Sequence, residues 1–205
     1  MEKLFSPFYF QKHLDLDSNI RSLMLNPILQ NYEDSPNLSL DWNAHSSYGV
    51  EHLLKNKVEW SNIQPFYDSI INDFLIELFG KTCSIQIDET PWYNVYGGKQ
   101  SGPPHEHIDA DFSMVHYIKF NPEVHKATTF FNPMSVQTRY HSLAKPKLIE
   151  KLNTSDMNQS FYFHEVTPYV EEDDVIIFPS SLMHRVDPSG VDETRVVISL
   201  NFRVL

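Results

Sequence analysis

A single cysteine, Cys83, occurs among the 205 residues. This scarcity excludes an internal disulfide framework and any zinc site built from several thiolates. Apolar runs are also short, about five residues at most, whereas a helix needs roughly 20 apolar residues to cross a bilayer. The start of the chain, MEKLFSPFYFQK, lacks the basic-then-apolar order of a secretion signal. These absences predict a cytoplasmic, intracellular protein.

Positive charge is scarce as well, because 16 lysines and arginines stand against 27 acidic residues and the formal net charge is −11. Proteins that bind nucleic acids or anionic membranes neutralise phosphate groups with basic side chains. The composition therefore disfavours both kinds of partner. Core-forming residues are abundant by contrast, since 41% of the chain is hydrophobic and 13% aromatic, and this content argues against disorder.

The strongest helical pattern lies in SNIQPFYDSIINDFLIELFG, where apolar residues recur every three or four positions. Ser61 or Asn62 is the expected N-cap, Pro65 suits the first turn, and Gly80 suits the position just past the end. The sequence therefore predicts one clear helix that ends at residue 79.

Short strands are predicted from residue 81 onward. The segments are β-branched or aromatic and are separated by Pro, Gly, Asn and Asp: CSIQI, WYNVY, FSMVHYIKF, ATTFF, QSFYFHEV, DVIIF and TRVVISLNFRV. A weaker helix, about residues 18–32, is expected to break near Pro27. Helices followed by strands indicate an α+β fold with a strand barrel or sandwich and helices on one face. We expect one domain over residues 1–205, with a mainly helical flank to residue 80 and a barrel core over 81–205.

The last strand segregates polar and apolar residues. Odd positions from Arg195 to Arg203 are mostly polar and include Asn201, whereas the even positions 196–202 are all apolar. Successive residues of a strand point to opposite faces. We therefore expect the apolar face under the helices and the mixed face toward a polar cavity or solvent.

Three potential metal ligands, His105, His107 and Asp109, occur at spacings of two. In an extended strand they would share a face at steps of about 6.5–7 Å, so two neighbours could hold one ion and a third ligand must come from elsewhere. His184 follows the strand DVIIF at a strand-to-loop junction. Histidine nitrogens with at most one carboxylate suit non-haem Fe(II), with zinc as an alternative. Of the other histidines, His116 has the opposite phase and is expected to pack on the outer face.

Arg195 lies near the start of the last strand, eleven residues after His184. An arginine inside a barrel needs an anionic partner, because an unpaired buried charge is very costly. A dicarboxylate ligand could supply that partner through a bidentate contact. The alternative is an exposed arginine that pairs with Asp192 or Glu193.

Taken together, these motifs resemble the iron(II)/2-oxoglutarate-dependent oxygenase superfamily. That family combines HxD or HxE, a distal histidine and an arginine about ten residues later; here they correspond to HEH, to FPSSLMHRV and to ETRVVISLNF. The chain is most similar to the small, prolyl-hydroxylase-like oxygenases of bacteria and phages, which share WYNVY before a glycine loop, PHxH and R-x-x-x-S-x-N-F. The resemblance covers about residues 85–205 strongly and extends weakly to SLDWNAHSSYG.

The resemblance implies a double-stranded β-helix, a cupin-like jelly roll. It implies Fe(II) bound by His105, His107 and His184, with 2-oxoglutarate chelating the metal and its far carboxylate on Arg195. Related enzymes place tyrosines in the cofactor pocket. The resemblance implies that Tyr117, which shares the odd parity of the ligands, contacts the far carboxylate. Tyr96, nine residues before His105, resembles the tyrosine that lines the cofactor pocket, and Asn94 shares the parity of Tyr96.

One departure from the family pattern leaves two registers open, because position 107 is histidine where the family usually has Asp or Glu. In the alternative register His107 and Asp109 form a conventional HxD, and Asp109 takes the place of His105. The distance from Tyr96 to the first ligand and the run into Tyr117 favour His105. Asp109 is then expected to accept the second N–H of a bound histidine.

The implied activity is a dioxygenase that hydroxylates a C–H bond, with O2 as co-substrate and with release of succinate and CO2. The substrate is a peptide or protein, with prolyl hydroxylation the leading form, or else a small molecule. Two other classes stay open: a non-enzymatic cupin-like domain that binds a metal or small acid, and a hydrolytic or isomerising metal enzyme. Arg195 discriminates among them, since only the oxygenase needs that buried cation.

A long segment of about residues 134–158 carries local positive charge in an otherwise acidic chain. Long loops at barrel mouths often act as lids or substrate surfaces, and this charge hints at an acidic partner. The likeness to phage proteins is compatible with a phage-encoded protein expressed in a host cell.

Overall fold

Eleven β-strands and two α-helices make up the part of the chain that the computed structural model describes, residues 8–39, 42–87, 89–134 and 163–205. The helices are α1 (Ser18–Asp34) and α2 (Gln64–Phe79). The strands are β1 (Phe10–His13), β2 (His45–Ser46), β3 (Ile85–Gln86), β4 (Trp92–Tyr96), β5 (Gly102–His105), β6 (Phe112–Lys119), β7 (Thr128–Phe131), β8 (Glu165–Val166), β9 (Asp174–Pro179), β10 (His184–Val186) and β11 (Arg195–Val204).

Two antiparallel sheets divide the strands between them. The major sheet has the order β1-β9-β6-β11-β4-β2, with β3 paired to β11, and the minor sheet has the order β5-β10-β7-β8. Neighbours in each sheet come from distant parts of the chain, as β1 and β9 do. This is the arrangement that a two-sheet jelly roll requires.

The two faces of β11 lie in different environments, as the alternation predicts. Val196, Ile198, Leu200 and Phe202 belong to a core cluster that also contains buried residues of α1 and α2. Val197 belongs to a second cluster between the two sheets. The helices therefore cover the outer face of the major sheet, and the mixed face of β11 looks into the interior of the jelly roll.

Strand β6 follows the same alternation. Tyr117 lies in the inter-sheet cluster, whereas His116 is fully buried on the helix side, where its Nδ1 lies 3.0 Å from the hydroxyl of Tyr67. The outer-face position predicted for His116 is therefore confirmed. Its Nε2 lies 3.5 Å from the buried carboxylate of Asp173, which also pairs with Arg21 of α1.

Helix α2 ends as predicted but begins differently. Gly80 has the left-handed φ of 71° and its N–H bonds to the carbonyl of Ile76, a conformation that glycine adopts without steric cost. The predicted cap by Ser61 or Asn62 is wrong. Both precede the N-cap Ile63, which makes no side-chain cap bond, because the chain enters α2 through a 3-10 turn over Trp60–Asn62.

Helix α1 continues through Pro27, so the predicted interruption is wrong. Asp17 caps its start by accepting the N–H of Asn19 at 2.8 Å, and the helix runs on to Asp34. A proline removes one backbone donor from a helix. The complete burial of Met24 and Ile28, on either side of the proline, indicates that packing against the sheet compensates for that loss.

The N-terminal 80 residues also supply two strands that the periodicity did not reveal. Strand β1 pairs with β9, and β2 pairs with β4. Both are short, so neither shows an alternation long enough to recognise. The segment 134–158 lies outside the described residues apart from Met134, as does the first part of QSFYFHEV, whose end forms β8. In the described ranges, no helix combines the length and apolar character needed to cross a membrane.

Candidate metal centre and cofactor pocket

Three imidazole rings converge at the end of β5 and the start of β10. His105 and His184 lie directly opposite each other in the β5–β10 pair, and their ring centroids are 4.2 Å apart. His107 follows two residues after β5, with its ring 5.1 Å from His105 and 5.3 Å from His184. One nitrogen from each ring lies within 4.8 Å of the others. Bonds from a metal to histidine nitrogen are about 2.0–2.1 Å long, so three nitrogens at this spacing could bind one ion once the side chains rotate toward it.

Backbone carbonyls orient two of these rings. The Nδ1 of His105 lies 2.8 Å from the carbonyl of Pro103, and the Nδ1 of His184 lies 2.8 Å from the carbonyl of Leu182. Only a protonated Nδ1 can donate to a carbonyl. The lone pair of both residues is therefore on Nε2, the arrangement that a metal-binding histidine needs.

His107 is held by side chains instead. Its Nδ1 lies 3.4 Å from the Nδ2 of Asn201, whose Oδ1 accepts the hydroxyl of Ser113 at 2.8 Å. Ser113 in turn lies 2.9 Å from the hydroxyl of Ser180, and the N–H of His107 donates to the Ser180 carbonyl at 2.9 Å. To bind a metal through Nε2, His107 must carry its proton on Nδ1. Asn201 must then turn its amide so that the oxygen faces the ring.

Burial favours the neutral, metal-binding form of all three rings. It lowers the pKa of His105, and together with the nearby His105 it lowers the pKa of His107 to about 4 and that of His184 to about 3. The ordinary value is 6.5. At neutral pH no proton therefore has to leave these rings before a cation binds.

Asp109 does not join the cluster. Strand β5 ends at His105, and Asp109 lies exposed in the following turn, where its carbonyl accepts the Nε–H of Arg203 at 2.8 Å. The prediction that residues 105–109 form one extended strand is therefore wrong, although His105 and His107 still converge. The acceptor role predicted for Asp109 falls instead to two backbone carbonyls, with Asn201 beside the third ring.

Arg195 is buried inside the jelly roll, at 2% exposure. It donates to the carbonyls of Lys126 and Asp187, and its guanidinium carbon lies 4.9 Å above the ring of Tyr96. In the described parts of the chain, no carboxylate lies within ion-pair distance of it; the Asp187 carboxylate pairs with Arg185. Burial lowers the pKa of Arg195, but an arginine stays charged in a protein. The exposed alternative, with Asp192 or Glu193 as partner, is not observed.

The residues predicted beside Arg195 line the same cavity as the three histidines. Tyr96 and Asn94 lie opposite Arg195 and Val197 in the β4–β11 pair. The buried Oδ1 of Asn94 has no hydrogen-bond partner among the described residues. The hydroxyl of Tyr117 donates to Thr128 Oγ1 at 3.0 Å and accepts the Thr128 N–H at 3.1 Å. A buried guanidinium without a carboxylate partner fits a small dianion.

Aromatic residues that the sequence reasoning did not single out as site residues stand beside the histidines. The ring of Trp42 lies 4.6 Å from His105, and that of Trp92 lies 6.0 Å from His107. Tyr48 contacts Trp92 at 5.2 Å. The sequence held only weak signals for these residues. Trp92 shares the parity of Asn94, and Trp42 lies in the segment SLDWNAHSSYG, to which the family resemblance extends only weakly.

A family model described as "Putative 2OG-Fe(II) oxygenase" matches residues 90–201, more than half of the chain. The chain belongs to this family of 2-oxoglutarate- and Fe(II)-dependent oxygenases. The oxygenase therefore uses Fe(II) and 2-oxoglutarate, which confirms the predicted cofactors, and the non-enzymatic cupin-like alternative is not supported. No curated protein matches the sequence.

Solved structures share the fold of the oxygenase at low identity. A prolyl hydroxylase from Trichoplax adhaerens, in complex with a hypoxia inducible factor peptide fragment, has a TM-score of 0.52 and 13% identity over 95% of this chain and 82% of that one. A Pseudomonas putida prolyl-4-hydroxylase has a TM-score of 0.54 and 13% identity, over 97% of this chain and 93% of that one. SnoN, an alpha ketoglutarate dependent epimerase from nogalamycin biosynthesis, has a TM-score of 0.60 and 11% identity, over 96% of this chain and 77% of that one. These likenesses confirm the predicted double-stranded β-helix.

Proposed function

We propose that this oxygenase hydroxylates a C–H bond of a peptide or protein, with Fe(II) bound by His105, His107 and His184. The metal assignment is supported by the convergence of three nitrogens within 4.8 Å and by the carbonyls that leave Nε2 of His105 and His184 free. Bound Fe(II), 2-oxoglutarate and O2 supply the oxidation, and succinate and CO2 are released.

The far carboxylate of 2-oxoglutarate binds Arg195 in this proposal. A guanidinium has five N–H donors, so donors remain beyond those bound to the carbonyls of Lys126 and Asp187. Tyr96 covers one face of the guanidinium and keeps water from it. Asn94 donates an N–H of its amide to the keto-acid, and Tyr117, fixed by Thr128, forms a wall of the pocket. The observation that carries the proposal is a buried arginine without a carboxylate on the same cavity as three convergent histidines.

We also propose that residues 1–205 act as one catalytic domain. Support comes from the pairing of β1 with β9 and from the core that α1 and α2 share with β11. If the chain were divided near residue 80, the paired edge of β9 and the shared core would both be exposed to solvent.

For the substrate, we propose prolyl hydroxylation of a peptide or protein as the leading form. The Trichoplax adhaerens and Pseudomonas putida prolyl hydroxylases have this fold, and the first is in complex with a peptide fragment. A small molecule is the second candidate, because SnoN, from nogalamycin biosynthesis, has the fold as well.

The test is succinate formation by the Fe(II)-loaded protein with 2-oxoglutarate and O2, in the presence of prolyl-containing peptides or of small molecules. Succinate formed in a one-to-one ratio with a hydroxylated peptide would support the leading form. Stoichiometric oxidation of small molecules alone would favour the second candidate. Failure to bind both Fe(II) and 2-oxoglutarate would contradict the proposal as a whole.

A further inference from the structure

An aromatic recess adjoins the histidine cluster, and Arg195 is not among the residues that line it. Its walls are formed by Trp42, Tyr48 and Trp92, and its floor by His105 and His107. Trp92 is buried, Trp42 is partly buried and Tyr48 is about half exposed. We call this space the outer recess. It is the part of the site that the proposed positions of 2-oxoglutarate and its arginine leave unused.

Carboxylates surround the mouth of the outer recess. Glu89, Glu106 and Asp109 line the surface that continues from His107 and Tyr48, together with one cation, Arg203. The hydroxyl of Tyr48 donates to Glu89 at 3.1 Å, which places that carboxylate at the edge of the aromatic wall. The pKa of the Tyr48 hydroxyl is raised by burial, by the bond to Glu89 and by the charges of Glu89, Asp109 and Glu51. The Tyr48 ring therefore lies in a negative field.

The cavity is polarised across the histidine cluster. The buried Arg195 lines one part of the cavity, whereas three carboxylates and one arginine line the surface beside the outer recess. A small dianion is attracted to Arg195. A positively charged group is attracted to the outer recess, where the faces of indole and phenol rings also favour cations.

We propose that the outer recess binds a positively charged group of the primary substrate, an alkylammonium or a guanidinium, while the carbon to be oxidised lies at the histidine cluster. This inference rests on the proposed function, because it assigns the substrate side of the same site. The group could belong to a lysine or arginine side chain of a peptide or to a free amine. The chemistry recognised is the same: a cation against the rings of Trp92 and Tyr48, with Glu89 and Asp109 nearby.

The experiment measures peptide binding to the full chain with Zn²⁺ and 2-oxoglutarate, so that no oxidation occurs. The probes are acetyl-Gly-X-Gly-amides in which X is lysine, arginine, norleucine or glutamate, with free lysine and butylamine as the small-amine arm. Fluorescence of Trp42 and Trp92 in a Trp60→Phe background reports binding. We expect the lysine and arginine peptides to bind roughly tenfold more tightly than the norleucine peptide, with a smaller difference at high salt. Tighter binding of the peptides than of free lysine and butylamine, or the reverse, then identifies the source of the cation.

Variants distinguish a loss of charge at the recess from a general effect on folding. Glu89→Gln combined with Asp109→Asn, and separately Tyr48→Leu, should each reduce the tenfold preference to about twofold or less, whereas Glu77→Gln on the exposed side of α2 should keep it. Equal binding of the lysine and norleucine peptides, or tighter binding of the glutamate peptide, would overturn the inference. Normal 2-oxoglutarate binding in the same samples would show that the proposed function survives that result. Tight cation binding by a protein that binds neither Fe(II) nor 2-oxoglutarate would contradict the proposed function and leave the recess assignment intact.

Discussion

The side-chain amide of Asn201 is the group that faces the second ring nitrogen of His107, with 3.4 Å between Asn201 Nδ2 and His107 Nδ1. His105 and His184 have backbone carbonyls at the equivalent position. A carbonyl can only accept a hydrogen bond, whereas a side-chain amide can accept or donate one. His107 is therefore the ring whose tautomer depends on a side chain.

Replacing Asn201 should alter metal affinity without removing a ligand. We expect Asn201→Leu to weaken Zn²⁺ or Co²⁺ binding by about 10–100-fold, because such partners orient the ring and raise its basicity. Asn201→Asp should restore or tighten binding, since a carboxylate accepts the Nδ1–H and adds negative charge. Competition with a chelator measures the affinity. Asn72→Asp on α2 is the matched control, and equal affinity of all four proteins would contradict this role.

Loss of Arg195 should remove 2-oxoglutarate and leave the metal. Losing a charge-assisted contact of this kind costs about 2–5 kcal/mol, or about 30- to several-thousand-fold in affinity. Arg195→Lys should bind with intermediate affinity, because lysine keeps the charge but not the forked geometry. Calorimetric titration of 2-oxoglutarate into the metal-loaded variants measures the effect, with Lys99→Ala as control. An unchanged dissociation constant in Arg195→Ala would place the keto-acid elsewhere.

Acid should destabilise the metal-free protein at pH values where its carboxylates are still charged. The pKa values of His107 and His184 lie at about 4 and about 3, and burial also lowers that of His116. The unfolded chain then binds more protons than the folded one below about pH 6.5, so the free energy of unfolding falls as pH drops toward 4. Each such proton contributes at most about 1.4 kcal/mol per pH unit.

Urea denaturation at pH 6.5 and pH 5.0 tests this dependence. His184→Asn should reduce the pH dependence by nearly one proton, whereas Asn72→Ser on α2, which changes no titratable group, should keep the pH dependence of the original protein. A free energy of unfolding that is the same at both pH values would show that these rings are not desolvated in the folded state.

Local patterns predicted those parts of the fold and site in which neighbouring residues share one environment. The alternation along β11 placed Val196 and Ile198 under the helices and Arg195 on the opposite face, because a long strand repeats the same alternation many times. The end of α2 at Gly80 was also predicted from local sequence, because glycine adopts the left-handed conformation that ends a helix without steric cost.

Long-range contacts account for what the sequence did not predict. Pro27 is tolerated because Met24 and Ile28 pack against a sheet formed by residues far along the chain. The contact between Asn201 and His107 joins positions 94 residues apart, and no periodicity reports such a pair. His107 reaches the histidine cluster from beyond the end of β5, so the strand spacing that suggested this residue was the wrong geometric reason.

The register of the metal ligands is the centre of this account, and iron content in two variants tests it most directly. With three histidine ligands the site keeps the full +2 charge of Fe(II), whereas two histidines and a carboxylate would reduce it to +1. After anaerobic loading and desalting, elemental analysis should find iron in Asp109→Ala close to one per chain and almost none in His105→Ala. His184→Ala should also lack iron, because that ring belongs to both registers. Full iron in His105→Ala together with its loss in Asp109→Ala would contradict the three-histidine site.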